Sequence, residues 1–100
     1  MIYTAVIEPE ANGQYSAHLP ALPGVHSCGA TRQEVLVRIV EAAELWIEVE
    51  REHERDVPPN DPFTILADVN QVIADQRADG LEPQLELVSV SVPSAERKAA

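Results

Sequence analysis

The sequence predicts a small α+β domain, in which a three-stranded antiparallel meander and one returning strand pack against one long helix. Three observations support this fold class: a turn motif between two strand patterns, a long amphipathic helix with a capping motif, and a late alternating strand. The chain has 100 residues, 45% apolar and 24% charged, which suits one packed core. We therefore expect one domain over residues 1–92 and a disordered tail over 93–100.

The first two strands are predicted to form a hairpin. Residues 2–8 are rich in β-branched and aromatic side chains, and the turn after them contains Asn12-Gly13, which supplies the positive φ that a reversal needs. Residues 14–19 then alternate, as a half-buried strand does. The side chains expected on its buried face are Tyr15, Ala17 and Leu19.

A short third strand and a long helix follow. The two prolines and the glycine of residues 20–24 interrupt the ladder, and residues 25–29 form the third strand. Thr31 and Glu34 have the spacing of a capping box, which predicts a helix over 32–54. Its apolar face is predicted from side chains at three- and four-residue spacing, namely Leu36, Ile39, Ala43, Trp46 and Ile47.

The second half of the chain predicts a shorter helix and a final strand. Prolines between 57 and 62 form a stiff connector, and a helix over 62–79 is expected to end before Gly80. Its predicted apolar side consists of Leu66, Val69, Val72 and Ile73. Residues 85–92 alternate again, with Val88, Val90 and Val92 on one face. The predicted order is therefore β-β-β-α-(α)-β.

Candidate catalytic and metal-binding residues are few. His26 and Cys28 are two apart on a strand and could point the same way, but a zinc site needs more ligands, and His18 and His53 do not complete the set. Cys28 as a nucleophile lacks a third orienting group. We therefore predict no enzymatic activity, no catalytic residue, no metal site and no cofactor.

Acidic side chains are the one abundant class of charged residue in the sequence. Seventeen Asp and Glu against seven Lys and Arg give a formal charge of −10, which repels nucleic acid and anionic lipid and attracts basic proteins. Glu41, Glu44 and Glu48 share one helix face, and we call them the acidic stripe. Such a stripe is either a solvated surface or a docking surface for a cationic partner, and composition alone does not choose between the two.

Residue usage also favours a cytoplasmic protein. A lone Cys28 suits a reducing compartment, and the N-terminal residues do not have the pattern of a signal peptide. No apolar run approaches the roughly 20 residues that a bilayer-spanning helix needs, so no membrane association is expected.

Several segments together resemble the signature of HicB-type antitoxins and HicB-like proteins. They are residues 15–25, followed by Gly29, Thr31 and Glu34, together with the opening 3–8 and the helical stretch 43–48. The resemblance implies a partial RNase H-like fold, without nuclease activity because the paired catalytic acids of that fold are missing here. It also implies a partner, since HicB antitoxins bind and occlude small basic HicA mRNA interferases.

The resemblance suggests where a toxin would bind and which alternative function is open. We expect a HicA-type toxin to contact the acidic stripe and the loop at Ala21, Leu22 and Gly24, although many relatives have an acid where Ala21 stands. Full antitoxins usually add a C-terminal DNA-binding domain, for which residues 93–100 are too short.

The alternative is an orphan HicB-like oligomer without a toxin, in which the sheet edge and second helix mediate self-association. A homodimer or homotetramer is expected in either case.

Overall fold

The computed structural model describes residues 1–93 and contains four strands and two helices. The strands are β1 (Ile2–Pro9), β2 (Tyr15–His18), β3 (His26–Gly29) and β4 (Glu86–Ser91), and the helices are α1 (Arg32–Glu52) and α2 (Pro62–Ala78). Each predicted element is present, with its ends within a few residues of those expected. The predicted tail over 93–100 lies outside the described residues, apart from Pro93.

All four strands form one antiparallel sheet in the order β3-β2-β1-β4. The first three strands are the predicted meander, and β4 returns to pair with β1 along its length, from Ile2 opposite Ser91 to Ile7 opposite Glu86. This arrangement makes β3 and β4 the two edges of the sheet, so both edges have backbone groups that point away from the ladder.

One face of the sheet packs against α1 and forms the core. Tyr3, Ala5 and Ile7 alternate onto this face from β1, and Val35, Ile39, Ala43 and Ile47 face them from the helix. The predicted face of α1 is therefore confirmed in phase, although Leu36 and Trp46 are only partly buried at its margins. The core also contains Leu19, Leu22 and Val25 from the β2–β3 loop region.

The start of α1 is fixed by its cap and by a close approach to β3. The hydroxyl of Thr31 accepts a hydrogen bond from the Glu34 backbone N–H at 3.0 Å, as predicted, whereas the Glu34 carboxylate pairs with Arg38 at 2.7 Å. A Cβ at Gly29 would lie 2.9 Å from the backbone nitrogen of Val35, which is closer than real contacts allow. Gly29 therefore lets the helix sit directly against the strand.

The second helix covers the opposite face of the sheet. Val6 is fully buried on that face. On the same face, the backbone N–H of Thr4 donates to the side chain of Asn60 in the connector, and His18 bonds to Asp68 of α2 at 2.6 Å. The prediction placed a single helix on the sheet, but the structure shows a helix over each face. The packing of α2 against the sheet could not be foreseen, because α2 has a weak apolar pattern and attaches to the sheet through polar side chains.

The predicted apolar side of α2 is partly wrong. Val69, Val72 and Ile73 are half-buried, but Leu66 is 59% exposed, and no residue of the helix is fully buried. Ile65 is half-buried and lies nearer the sheet, on the same side of the helix as Asp68, which bonds to His18. Leu66 and Phe63 therefore face away from the sheet.

Candidate protein-binding surface

The acidic stripe lies on the outer side of α1. Glu41 and Glu48 are exposed and Glu44 is half-buried, about half a helical turn away from the core residues Ile39 and Ala43. Within residues 1–93, none of the three carboxylates makes an ion pair, whereas Glu34 and Glu50 are bound to Arg38 and Arg55. The stripe is therefore a row of uncompensated negative charge that a cationic surface could contact.

The predicted loop residues are mostly inside the protein. Ala21 is 6% exposed and Leu22 is fully buried, and both belong to the core beneath α1. The loop is held by backbone bonds from Leu22 to Leu19 and from Val25 to Leu22. Gly24 is exposed, with a φ of 88° that favours glycine.

These placements separate the predicted site residues into two groups. The structure brings Glu41, Glu44 and Glu48 together, but α1 itself lies between this stripe and the buried side chains of Ala21 and Leu22. A partner on the stripe would therefore not reach those two side chains without opening the core. A signal for their burial was present in the sequence, since both side chains are apolar.

An apolar groove between α1 and the edge strand β4 borders the stripe. It measures about 430 Å³ and is lined by Leu36, Val37, Val40, Val88 and Val90, with Glu41 at its rim. Sequence reasoning missed this groove, because a helix pattern does not show that the strand beside it is an edge. The alternation of Val88 and Val90 was the one available signal.

The candidate metal ligands do not converge. His18 is bound to Asp68, and His26 and Cys28 are both exposed on the short strand β3. In the part of the chain that the structure describes, no group of three or more His, Cys, Asp or Glu side chains is placed to hold a metal ion. Neither helix within residues 1–93 is long and apolar enough to span a bilayer.

Ion pairs and caps elsewhere organise the surface around α1. Arg32 forms a two-pronged salt bridge with Glu86, with contacts of 2.7 Å to each carboxylate oxygen, and thereby ties the start of α1 to β4. The hydrogen bonds from Arg32 hold the pKa of Glu86 below its ordinary value. Likewise, the hydrogen bond from Arg55 lowers the pKa of Glu50. The carboxylates of Glu86 and Glu50 are thus occupied, whereas those of the acidic stripe make no ion pair within residues 1–93.

Comparison with known proteins agrees with this architecture. Residues 3–95 match the family model described as the HicB-like antitoxin of bacterial toxin–antitoxin systems. A UPF0150 protein of Synechocystis is 41% identical over 68 residues, which span 64% of this chain and 86% of that protein. A UPF0150 protein of Thermoplasma acidophilum is 38% identical over 58 residues, which span 58% of this chain and 84% of that protein.

Solved structures show the same fold. The N-terminal domain of the Burkholderia pseudomallei antitoxin HicB is 25% identical with a TM-score of 0.60, and the match covers 91% of this chain and 99% of that domain. A chain of a HicA3–HicB3 toxin–antitoxin complex gives a TM-score of 0.62 at 22% identity, over 91% of this chain and 96% of that one. With its four-stranded antiparallel sheet and its match to the family model over 3–95, the chain belongs to the HicB-like antitoxin family.

Proposed function

We propose that this protein is an antitoxin that binds and occludes a small basic toxin of the HicA type and has no enzymatic activity of its own. The observation that supports this most directly is the unpaired acidic stripe on a chain with a formal charge of −10. A cationic partner gains both long-range attraction and short-range ion pairing at such a surface.

The proposed contact surface follows from exposure. Glu41, Glu44 and Glu48 offer carboxylates on successive turns of a rigid helix, so their spacing does not change on binding. The loop contributes its exposed turn at Gly24, while Ala21 and Leu22 support that turn from the core. The proposed setting is the cytoplasm, without nucleic acid or membrane as a direct partner, since the charge repels both.

Direct binding to a HicA-type protein from the same host tests this proposal. Titration calorimetry with the purified basic protein should give a tight complex of fixed stoichiometry, whose affinity falls as salt is added. The triple variant Glu41→Gln, Glu44→Gln, Glu48→Gln should weaken binding by about tenfold or more and flatten the salt dependence.

A matched control variant makes the same change in charge at positions outside the stripe. Glu54→Gln, Asp56→Asn and Glu82→Gln also remove three negative charges, at exposed positions outside the helix face in question. This variant should retain most of the affinity. Equal losses in both triple variants would mean that net charge alone drives association, and undiminished binding by the stripe variant would refute the contact surface.

The alternative function is an orphan oligomer without a cognate toxin, and the open edge strand β4 favours it. Affinity purification of the tagged protein from its own host, sized by light scattering, separates the two. A basic protein recovered at a fixed ratio supports the antitoxin, and recovery of the protein alone as a stable oligomer supports the orphan module.

A further inference from the structure

Helix α1 has a second apolar row, on the side that faces away from the core. Its buried side chains recur every four residues, at Val35, Ile39, Ala43 and Ile47. A residue two positions after each of these lies about 200° around the helix axis from it. These outward positions, which we call the outer ridge, are Val37, Glu41, Leu45 and Val49. Because the exposed fractions of Val37, Leu45 and Val49 are 54%, 63% and 39%, the helix is apolar on its outward side as well.

The apolar side chains of the ridge form a contiguous patch around Leu45. Val49 follows Leu45 by one helical turn, and Trp46 precedes Val49 by three residues, so the three side chains are neighbours on the helix surface. Trp46 is half-buried and packs against the core, which leaves part of it open to solvent. We call Leu45, Trp46 and Val49 the apolar centre. Single exposed apolar residues are ordinary on protein surfaces, whereas a contiguous group of them marks an interaction site.

Folding does not account for Leu45 and Val49. Leu45 is 63% exposed, so it gains little from burial in the folded chain. Valine is a weaker helix former than the charged residues that commonly occupy the wet side of a helix, because its branched side chain loses rotamer freedom there. These two side chains therefore contribute little to the stability of the domain and would gain more from contact with a partner.

Charge decides which kind of partner fits this surface. Glu41 lies one turn before Leu45 on the ridge, and Glu44 and Glu48 directly precede Leu45 and Val49 along one flank. Within residues 1–93 these three carboxylates make no ion pair. A second copy of the chain would bring like charges together here, and nucleic acid would be repelled. A protein surface in which Lys and Arg surround an apolar patch would pair with the carboxylates and bury the apolar centre.

We propose that Leu45, Trp46 and Val49 are the anchor of the toxin-binding surface and that the acidic stripe is its rim. This inference rests on the proposed function and deepens it, since it states that the basic partner presents an apolar patch bordered by cationic side chains. The rim attracts the partner over a distance, whereas the apolar centre acts only after contact, once water has been expelled.

The two parts of the surface should therefore affect different rate constants. Removing charge from the rim slows association and reduces its dependence on salt. Removing apolar surface from the centre speeds dissociation, because that contact exists only in the formed complex. The second effect should be the same at low and at high salt, since screening acts on charges and not on apolar contacts.

Surface plasmon resonance with the immobilised HicA-type protein from the same host measures both rate constants for the full chain. Leu45→Ala should raise the dissociation rate constant about tenfold and leave the association rate constant nearly unchanged. Val49→Ala should act in the same direction by a smaller factor, because Val49 is less exposed and loses fewer atoms. Alanine is a good helix former, so both variants should fold, which circular dichroism checks.

Leu66→Ala is the matched control. It makes the same substitution on the outer face of α2, at a position that is 59% exposed, and should leave both rate constants unchanged. An equal increase in dissociation for Leu45→Ala and Leu66→Ala would overturn the proposal. Unchanged dissociation in Leu45→Ala and Val49→Ala, with binding still weakened by the stripe variant, would overturn it as well and leave the proposed function standing.

The single tryptophan of the chain gives a second, independent readout. With 5-fluorotryptophan incorporated, Trp46 gives one fluorine resonance, which should shift when the unlabelled basic protein is added to saturation. A complex that forms without moving this resonance would place the contact elsewhere and refute the apolar centre. If the unmodified chain forms no complex with the basic protein, the proposed function fails, and this inference fails with it.

Discussion

Tyr3 shows how one side chain joins two parts of the protein that are far apart in sequence. Its ring is fully buried in the core beneath α1, and its hydroxyl donates to the carbonyl of Pro58 at 2.6 Å. Burial raises the pKa of the Tyr3 phenol, because the charged form would lose its hydration. This hydrogen bond fastens the connector after α1 to the first strand at Pro58, a residue that has no backbone N–H to donate.

Replacing Tyr3 with Phe should destabilise the protein by about 1 kcal/mol, because the Pro58 carbonyl loses its partner in a partly buried place while the ring remains. Urea denaturation at neutral pH measures the change. Tyr15→Phe is the matched control, since the Tyr15 hydroxyl makes no hydrogen bond to another residue of 1–93 and its removal should change stability by a few tenths. Equal effects of the two substitutions would contradict the assigned role of the Tyr3 hydroxyl.

At the scale of elements, the two helices are held in different ways. Helix α1 buries four apolar side chains in the core, whereas α2 buries none completely. The contacts from α2 to the rest of the protein include His18 with Asp68 at 2.6 Å and Gln76 with Glu8 at 2.9 Å. Partly exposed polar contacts stabilise weakly, so α2 should open more readily than the sheet and α1.

Native-state hydrogen exchange should show this difference directly. Backbone amides in the middle of α2 should exchange through a local opening of lower free energy than those of α1 around Ile39 and Ala43. Asp68→Ala should accelerate exchange in α2 further and leave α1 unchanged, while Asp75→Ala, on the exposed side of the same helix, should do neither. Identical protection in both helices would show that α2 belongs to the cooperative core.

The sequence revealed the elements that rely on local signals. Asn12-Gly13 indicated the hairpin, Thr31 and Glu34 indicated the start of α1, and alternation indicated β4, since turn chemistry and periodicity act over a few residues. It did not reveal the position of α2, because the contact between His18 and Asp68 spans fifty residues and joins polar side chains. The acidic stripe lies within one helix and was recognisable from its spacing, whereas the groove forms between α1 and β4, which are distant in sequence.

At the scale of the whole molecule, acidity links stability to pH. Hydrogen bonds from Arg32 lower the pKa of Glu86, those from Arg55 lower that of Glu50, and the Thr64 hydroxyl lowers that of Asp61, which caps α2. Each of these carboxyls binds protons less readily when the protein is folded than when it is unfolded. Their stabilisation is therefore present above the ordinary values of 4.5 and 3.8, and is lost as pH falls through the lower folded values.

Urea midpoints measured from about pH 6 down to about pH 3 should accordingly decrease, with most of the loss below the ordinary carboxyl range. Glu86→Gln should flatten this decrease, because one of the shifted groups no longer titrates. Glu82→Gln, at an exposed position without an ion pair in the described chain, should follow the unmodified protein. The assignment fails if Glu86→Gln and Glu82→Gln give the same pH profile.

The bond between Met1 and Val92 has a consequence for how this domain can be joined to other polypeptides. Since β1 begins where β4 finishes, any segments attached before the first strand and after the last leave from the same corner of the sheet. A short linker could close that corner, and the chain could instead be opened at the exposed Asn12-Gly13 turn without cutting a strand. The fold is thus suited to circular permutation, and a module inserted into a host protein would need two attachment points only a strand's width apart.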